Sequence, residues 1–129
     1  MARREAVFTD KAPRPVGPYS QAIVAGGCFV FVSGQIPIDP ETGKLVEGSF
    51  EDKVRRVMEN IKAIVEAAGG TMDDIVKVNV YIRDIGLFSR FNEVYSEYFK
   101  ASPPARAVVE VSNLPLGVDV EVEAIAYIC

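Results

Sequence analysis

Three residues late in the chain could do chemistry: Arg106, Glu121 and Glu123, set in runs that otherwise alternate apolar side chains. A guanidinium is charged at any physiological pH and can grip a carboxylate through two parallel charge-assisted bonds. A glutamate beside it can hold a water and take its proton. A plainer arrangement also fits, a structural ion pair of Arg106 with Glu110, Glu121 or Glu123. Spacing alone favours that pair, because structural ion pairs outnumber catalytic ones. The chain has no histidine. Triads, imidazole acid–base catalysis and most zinc sites are thereby excluded, and no metal is expected. Two cysteines, Cys28 and Cys129, are too few for a disulfide framework and predict a reducing compartment. Cys28, with no basic partner to activate it, reads as a buried apolar residue.

The elements that must position these residues follow from the pattern. Asp10–Pro18 holds three prolines and a glycine and reads as an ordered loop. Tyr19–Ala25 and Cys28–Ser33 form a hairpin about Gly26-Gly27, and Pro37–Gly48 is loop. Ser49 opens a helix with a capping-box-like start at Asp52; Phe50, Val54, Val57, Ile61, Ile64, Val65 and Ala68 recur at helical spacing and Gly69-Gly70 ends it. Glu51–Arg55, Asp52–Arg56 and Arg55–Glu59 are expected as ion pairs on its wet face. Ile75–Arg83 alternates as a strand, with Val76, Val78, Val80 and Ile82 on one side. A second helix is expected over Leu87–Phe99, with Phe88, Phe91, Tyr95 and Phe99 as its core stripe, stopped by Pro103-Pro104. Strands at Arg106–Val111 and Val118–Ile128 complete a β-β-α-β-α-β-β order. Two crossovers of one hand place both helices on one face of a mixed sheet, an α+β fold.

Alternation puts Ala107, Val109 and Val111 on the helix side and turns Arg106, Val108 and Glu110 away from it. Val120, Val122, Ala124 and Ala126 fit the core, which turns Glu121 and Glu123 toward the same uncovered side as Arg106. The strands are apolar on both faces, with Phe29, Phe31, Ile125 and Tyr127 on the second. A second cover is needed, and another copy of the chain is the natural one.

The 129 residues fit a single domain (1–129) with 49% apolar and 25% charged residues. A formal net charge of −4 argues against phosphate-dominated binding of nucleic acid. Met1–Thr9 has no apolar run and does not read as a signal peptide, and no apolar stretch approaches the length of a membrane span. A cytoplasmic protein is expected.

Several motifs stand in order along the chain: GPYSQA (17–22), SGQIP (33–37), NIKAIVEAAG (60–69), DIVKVNVYIRD (74–84), FNEVYSEYF (91–99), PARAVVEVSNLP (104–115) and VEVEAIAY (120–127). Over nearly its whole length the sequence resembles the RidA (YjgF-type) reactive-intermediate deaminases. The resemblance implies a chorismate-mutase-like α+β subunit, assembled as a homotrimer with clefts between neighbouring subunits. It implies hydrolysis of 2-imino acids or their enamine tautomers, as a 2-iminobutanoate/2-iminopropanoate deaminase, to 2-oxo acids and ammonia without a cofactor. Pyridoxal-phosphate enzymes such as threonine dehydratase supply these intermediates. By the same resemblance Arg106 binds the substrate carboxylate and Glu121 orients the water; pattern alone does not choose between Glu121 and Glu123. Tyr19, Ser33 and Asn92 would line the cleft, and the backbone N–H groups of Gly34 and Val108 would be available to substrate. Each has a plainer role: a core aromatic for Tyr19, a satisfied strand end for Ser33, a solvent-facing amide for Asn92. Val108 departs from the cysteine common in the family, which removes any thiol-dependent regulation there. Three other classes fit the chain: a non-catalytic regulator binding small carboxylates, an endoribonuclease or translation inhibitor, which the missing histidine and acidic balance disfavour, and a holdase-like chaperone.

Overall fold

The computed structural model describes residues 4–99 and 101–129; of the N-terminal stretch considered above, Met1–Arg3 lie outside them. Six strands, β1 (Arg4–Val7), β2 (Ala22–Ala25), β3 (Phe29–Gln35), β4 (Ile75–Ile82), β5 (Ala105–Glu110) and β6 (Val120–Tyr127), form one sheet in the order β1-β2-β3-β6-β4-β5. Only β4 and β5 pair in parallel; the other pairs are antiparallel. The expected α+β architecture is therefore present with one more strand than the pattern showed. β1 is a four-residue edge strand, REAV, exposed along most of its length, so it carries no alternation that would announce it.

Helix α1 (Phe50–Ala67) begins as its sequence dictates. Ser49 Oγ accepts the Asp52 N–H at 3.1 Å, and the Asp52 carboxylate accepts the Ser49 N–H at 3.3 Å. Its apolar stripe, Val54, Val57, Ile61, Ile64 and Val65, is buried. Gly69 then takes φ +101°, a conformation that favours glycine, and its N–H bonds the Glu66 carbonyl as the helix closes. Helix α2 (Phe88–Tyr95) is shorter than expected and passes into a 3-10 turn at Ser96–Tyr98. The wet-face charges of α1 reach across to α2 more than along their own helix. Arg90 grips Glu51 through two 2.8 Å bonds and holds its carboxyl down at about 2, and Arg55 meets Glu97 and Asp52.

Both helices cover one sheet face, where Val30, Val32, Ile75, Val78, Val80, Ile82, Val120, Val122, Ala124 and Ala126 join them in one core. Val76 is not among these: it is 45% exposed. The β4–β6 register shifts between Ile75 and Lys77, and this bulge puts Ile75 in the core in place of its neighbour. On the other face Phe29, Phe31 and Tyr127 remain 43–45% exposed, and Tyr127 packs edge-on against Phe29 with ring centres 5.1 Å apart. The expected second apolar face is therefore real, and the described residues leave it uncovered.

Cys28 is not a buried lone thiol. It is half-buried and paired with Cys129, with Cα atoms 4.9 Å apart. The Ile128 N–H bonds the Cys28 carbonyl at 2.8 Å and brings the end of the chain beside the β2–β3 turn. This pairing removes the cysteine argument for a reducing compartment. No helix among the described residues is long and apolar enough to cross a membrane.

Candidate functional site

The strand registers decide where each candidate residue points. β5 runs beside β4 with Arg106 opposite Val78 and Val108 opposite Val80, and those two valines face the helices. Arg106 and Val108 therefore lie on the helix-covered side, and Ala107 and Val109 on the open one, contrary to the alternation argument. Both faces of β5 are apolar, so hydrophobicity could not tell them apart. Glu121 and Glu123 stand opposite Tyr81 and Asn79 on the open face, as expected. Within one protomer, then, Arg106 and Glu121 are on opposite sides of the sheet. They also sit two strands apart, about 10 Å in sheet spacing before either side chain is extended.

The candidates fall into two groups. The first is set on the edge strand β5 and one face of α2. The Arg106 guanidinium lies over the rings of Tyr95 (4.7 Å) and Phe88 (5.5 Å), and its Nη1 donates to Asn92 Oδ1 at 2.8 Å. Asn92 is thus no idle solvent-facing amide. Among the described residues Arg106 has no carboxylate partner. The ion-pair alternative fails within the protomer: Glu110 accepts the Ile85 N–H, and Glu123 is engaged by Tyr81.

The second group lines a cavity of about 470 Å3 on the other side of the sheet, where Tyr19, Ser33, Gly34 and Glu121 meet apolar walls that include Val16, Ile36 and Pro115. Ser33 and Gly34 fall where the β3–β6 register shifts between Val32 and Gln35, a bulge that brings them against the cavity. Ser33 Oγ donates to the Ser20 carbonyl at 2.6 Å. Tyr19 is 48% exposed, so it is not a core aromatic. Gly34 leaves room for Glu121: a Cβ there would come within 2.9 Å of Glu121 Cδ and overlap Oε2. Leu116 also lines the cavity with φ +58°, an uncommon conformation for a bulky residue.

The electrostatics separate the two glutamates. Tyr81 donates its hydroxyl to Glu123 Oε1 in a short bond, and that bond, with burial, pushes the phenol up to about 12. Glu121 has no hydrogen-bond partner among the described residues. Burial, reinforced by the negative charge of Glu123, raises its carboxyl above the ordinary value. Glu123→Gln removes the second of these causes and leaves the first. The Glu121 carboxyl should then titrate lower than in the wild type but still above an exposed glutamate, as read from its side-chain carbon resonance; an unchanged titration would refute this account.

Sequence reasoning assigned Tyr95 and Phe88 only to a core stripe and passed over Tyr81, Arg14 and Leu116. Only the i, i+4 and i+7 spacing of Phe88, Asn92 and Tyr95 could have signalled a shared partner. Arg14 and Leu116 both line the cavity, and nothing in the pattern links either to it.

A two-layer α+β protomer with an unpaired arginine at one sheet edge and a raised glutamate in a cavity on the opposite face is the class of protein defined here. The chain matches the profile of the family described as Endoribonuclease L-PSP over residues 9–128. It is 60% identical to a RutC family protein of Pyrococcus abyssi, across 96% of this chain and 97% of that one. Its fold matches the crystal structure of RidA from an Antarctic Psychrobacter with a TM-score of 0.92 at 49% identity, covering 96% and 99% of the two chains. A Dermatophagoides farinae protein called 2-iminobutanoate/2-iminopropanoate deaminase is 41% identical across 99% of both. The chain belongs to this RidA (YjgF-type) family.

Proposed function

We propose that the protein is an imine deaminase that hydrolyses 2-imino acids, or their enamine tautomers, to 2-oxo acids and ammonia. The observation that carries the proposal is complementarity. One protomer offers a guanidinium without an anion, the other side of its sheet offers a raised carboxylate without a partner, and the apolar open face calls for a second copy. Packing the β5 edge of one copy against the open face of the next would bring Arg106 toward the Glu121 cavity, in a homotrimer of the kind the family resemblance implies. The relative named as a deaminase supports the same reaction.

In such a cleft the free Nε–Nη2 edge of Arg106 holds the substrate carboxylate, with Asn92 keeping Nη1 occupied. Tyr19, Ser33 and the backbone about Gly34 line the far side, and the Val108 backbone lies on the arginine's own strand. Glu121 positions a water against C2 and takes its proton as the C–O bond forms. The C=N electron pair of the protonated imine moves to nitrogen, giving a neutral carbinolamine. Glu121 passes its proton to that nitrogen and then takes the hydroxyl proton as the C=O bond forms and the C–N bond breaks, releasing ammonia and the 2-oxo acid. The imine carbon is already electrophilic, so anchoring, a held water and proton transfer suffice, with no cofactor or metal. A carboxyl raised by burial accepts a proton more readily than an exposed one, which suits a group that must take and return a proton. The formal net charge of −4 counts against RNA as a substrate.

The test is a threonine dehydratase reaction followed with and without the purified protein. Faster appearance of 2-oxobutanoate is expected. Unchanged appearance, with the protein folded and oligomeric, would reject the proposal.

A further inference from the structure

We propose that Tyr95 is a positioning residue for Arg106, a platform that holds the guanidinium so that its Nε–Nη2 edge faces a ligand carboxylate. This rests on the reading of Arg106 as the carboxylate anchor. Tyr95 is 5% exposed and packs between Phe91 and Phe99, with ring centres at 5.4 and 4.7 Å. Its hydroxyl is buried without a hydrogen-bond partner. Packing alone does not account for that group, since phenylalanine would fill the same space without burying an unsatisfied polar atom. Phenylalanine already serves at 88, 91 and 99 along this segment. The cation lies closer to the ring centre at position 95, 4.7 Å, than the 5.5 Å at Phe88. Tyrosine and phenylalanine both present a negative ring face to a cation, so it is the ring that supports the guanidinium.

The geometry is that of a cradle. Phe88, Asn92 and Tyr95 recur on one face of α2. Phe88 flanks the guanidinium at 5.5 Å, Asn92 Oδ1 accepts from Nη1, and Tyr95 lies beneath. Among the described residues, Nε and Nη2 have no hydrogen-bond partner. One corner of the cation is tied and one face supported, so the remaining edge is fixed in direction before any ligand arrives. This preorganisation lowers the ordering cost of a bidentate contact.

The experiment compares Tyr95→Phe, Tyr95→Leu and Arg106→Ala with the wild-type oligomer, reading KM and kcat for imine hydrolysis and Kd for 2-oxobutanoate. The expected order of KM and Kd is wild type, then Phe, then Leu. Phe should be within about threefold of wild type and Leu about tenfold weaker, the size of one desolvated cation–π contact. The kcat should change much less, a split that a general loosening of the core would not give. Equal KM and Kd in all three Tyr95 forms, or a Phe variant as weak as Leu, would overturn the proposal. Loss of binding in Arg106→Ala with Tyr95→Leu unchanged would leave the anchor standing and remove only the platform; binding unchanged in Arg106→Ala would remove the anchor itself. Should Tyr95→Leu not fold, the wild-type protein decides: the Arg106 Nε–H resonance, assigned with Arg106→Lys, should be shifted upfield by the ring below it. A resonance at the position of a free arginine would overturn the proposal.

Discussion

Arg106→Ala should lower kcat/KM for imine hydrolysis by about thirty- to several-thousand-fold, the equivalent of losing about 2–5 kcal/mol from a partly buried charged contact. The guanidinium is half-buried, lies on two aromatic rings and has one corner tied to Asn92. No carboxylate in the described protomer depends on it, so its removal strands no buried anion. The variant should therefore stay folded and oligomeric while losing affinity for 2-oxo acids. Arg106→Lys keeps the charge without the fork and should recover only part of the loss. Coupled assays with thermal melts on the same samples check both halves. Full activity in folded Arg106→Ala would leave the anchor without support.

Gly34→Ala should lower kcat by about a hundredfold or more, the usual contribution of a positioned acid–base group. The added methyl would come within 2.9 Å of Glu121 Cδ and overlap Oε2, so the carboxylate must swing out of place. Gly34 does not occupy the left-handed region, so alanine meets no backbone penalty and the effect falls on Glu121 alone. Binding of 2-oxobutanoate, which the proposed function assigns to Arg106, should change little. A Gly34→Ala enzyme with wild-type kcat would mean that the carboxylate's position is immaterial.

The sequence was most legible where one physical signal acted alone. The Ser49 capping box and the apolar stripe of α1 named that helix and its buried residues. The doubly apolar β3 and β6 named an open face that needs a cover. It was least legible where two signals competed. In β5 alanines and valines occupy both faces, and only pairing with β4 shows that Arg106 shares the side of Val78. That pairing moved Arg106 away from Glu121 and divided one expected cluster into two separate groups. A bulge hid the exposure of Val76, and another bulge at Ser33-Gly34 brought the glycine against Glu121. Bulges depend on long-range register, which local alternation does not encode. The difference between Glu121 and Glu123 lies in Tyr81, a residue of a different strand that engages only Glu123. The pairing of Cys28 with Cys129, 101 residues apart, could not be read from two isolated cysteines.

The central claim is that Arg106 and Glu121 act together across two copies of the chain, and subunit mixing tests it most directly. Arg106→Ala and Glu121→Gln should each be inactive as pure proteins. Co-refolded in equal amounts, they place an intact Arg106 against an intact Glu121 at about one interface in four, so about a quarter of wild-type activity should return. Mixed oligomers, verified by mass spectrometry, that show no more activity than the two parents would contradict the account.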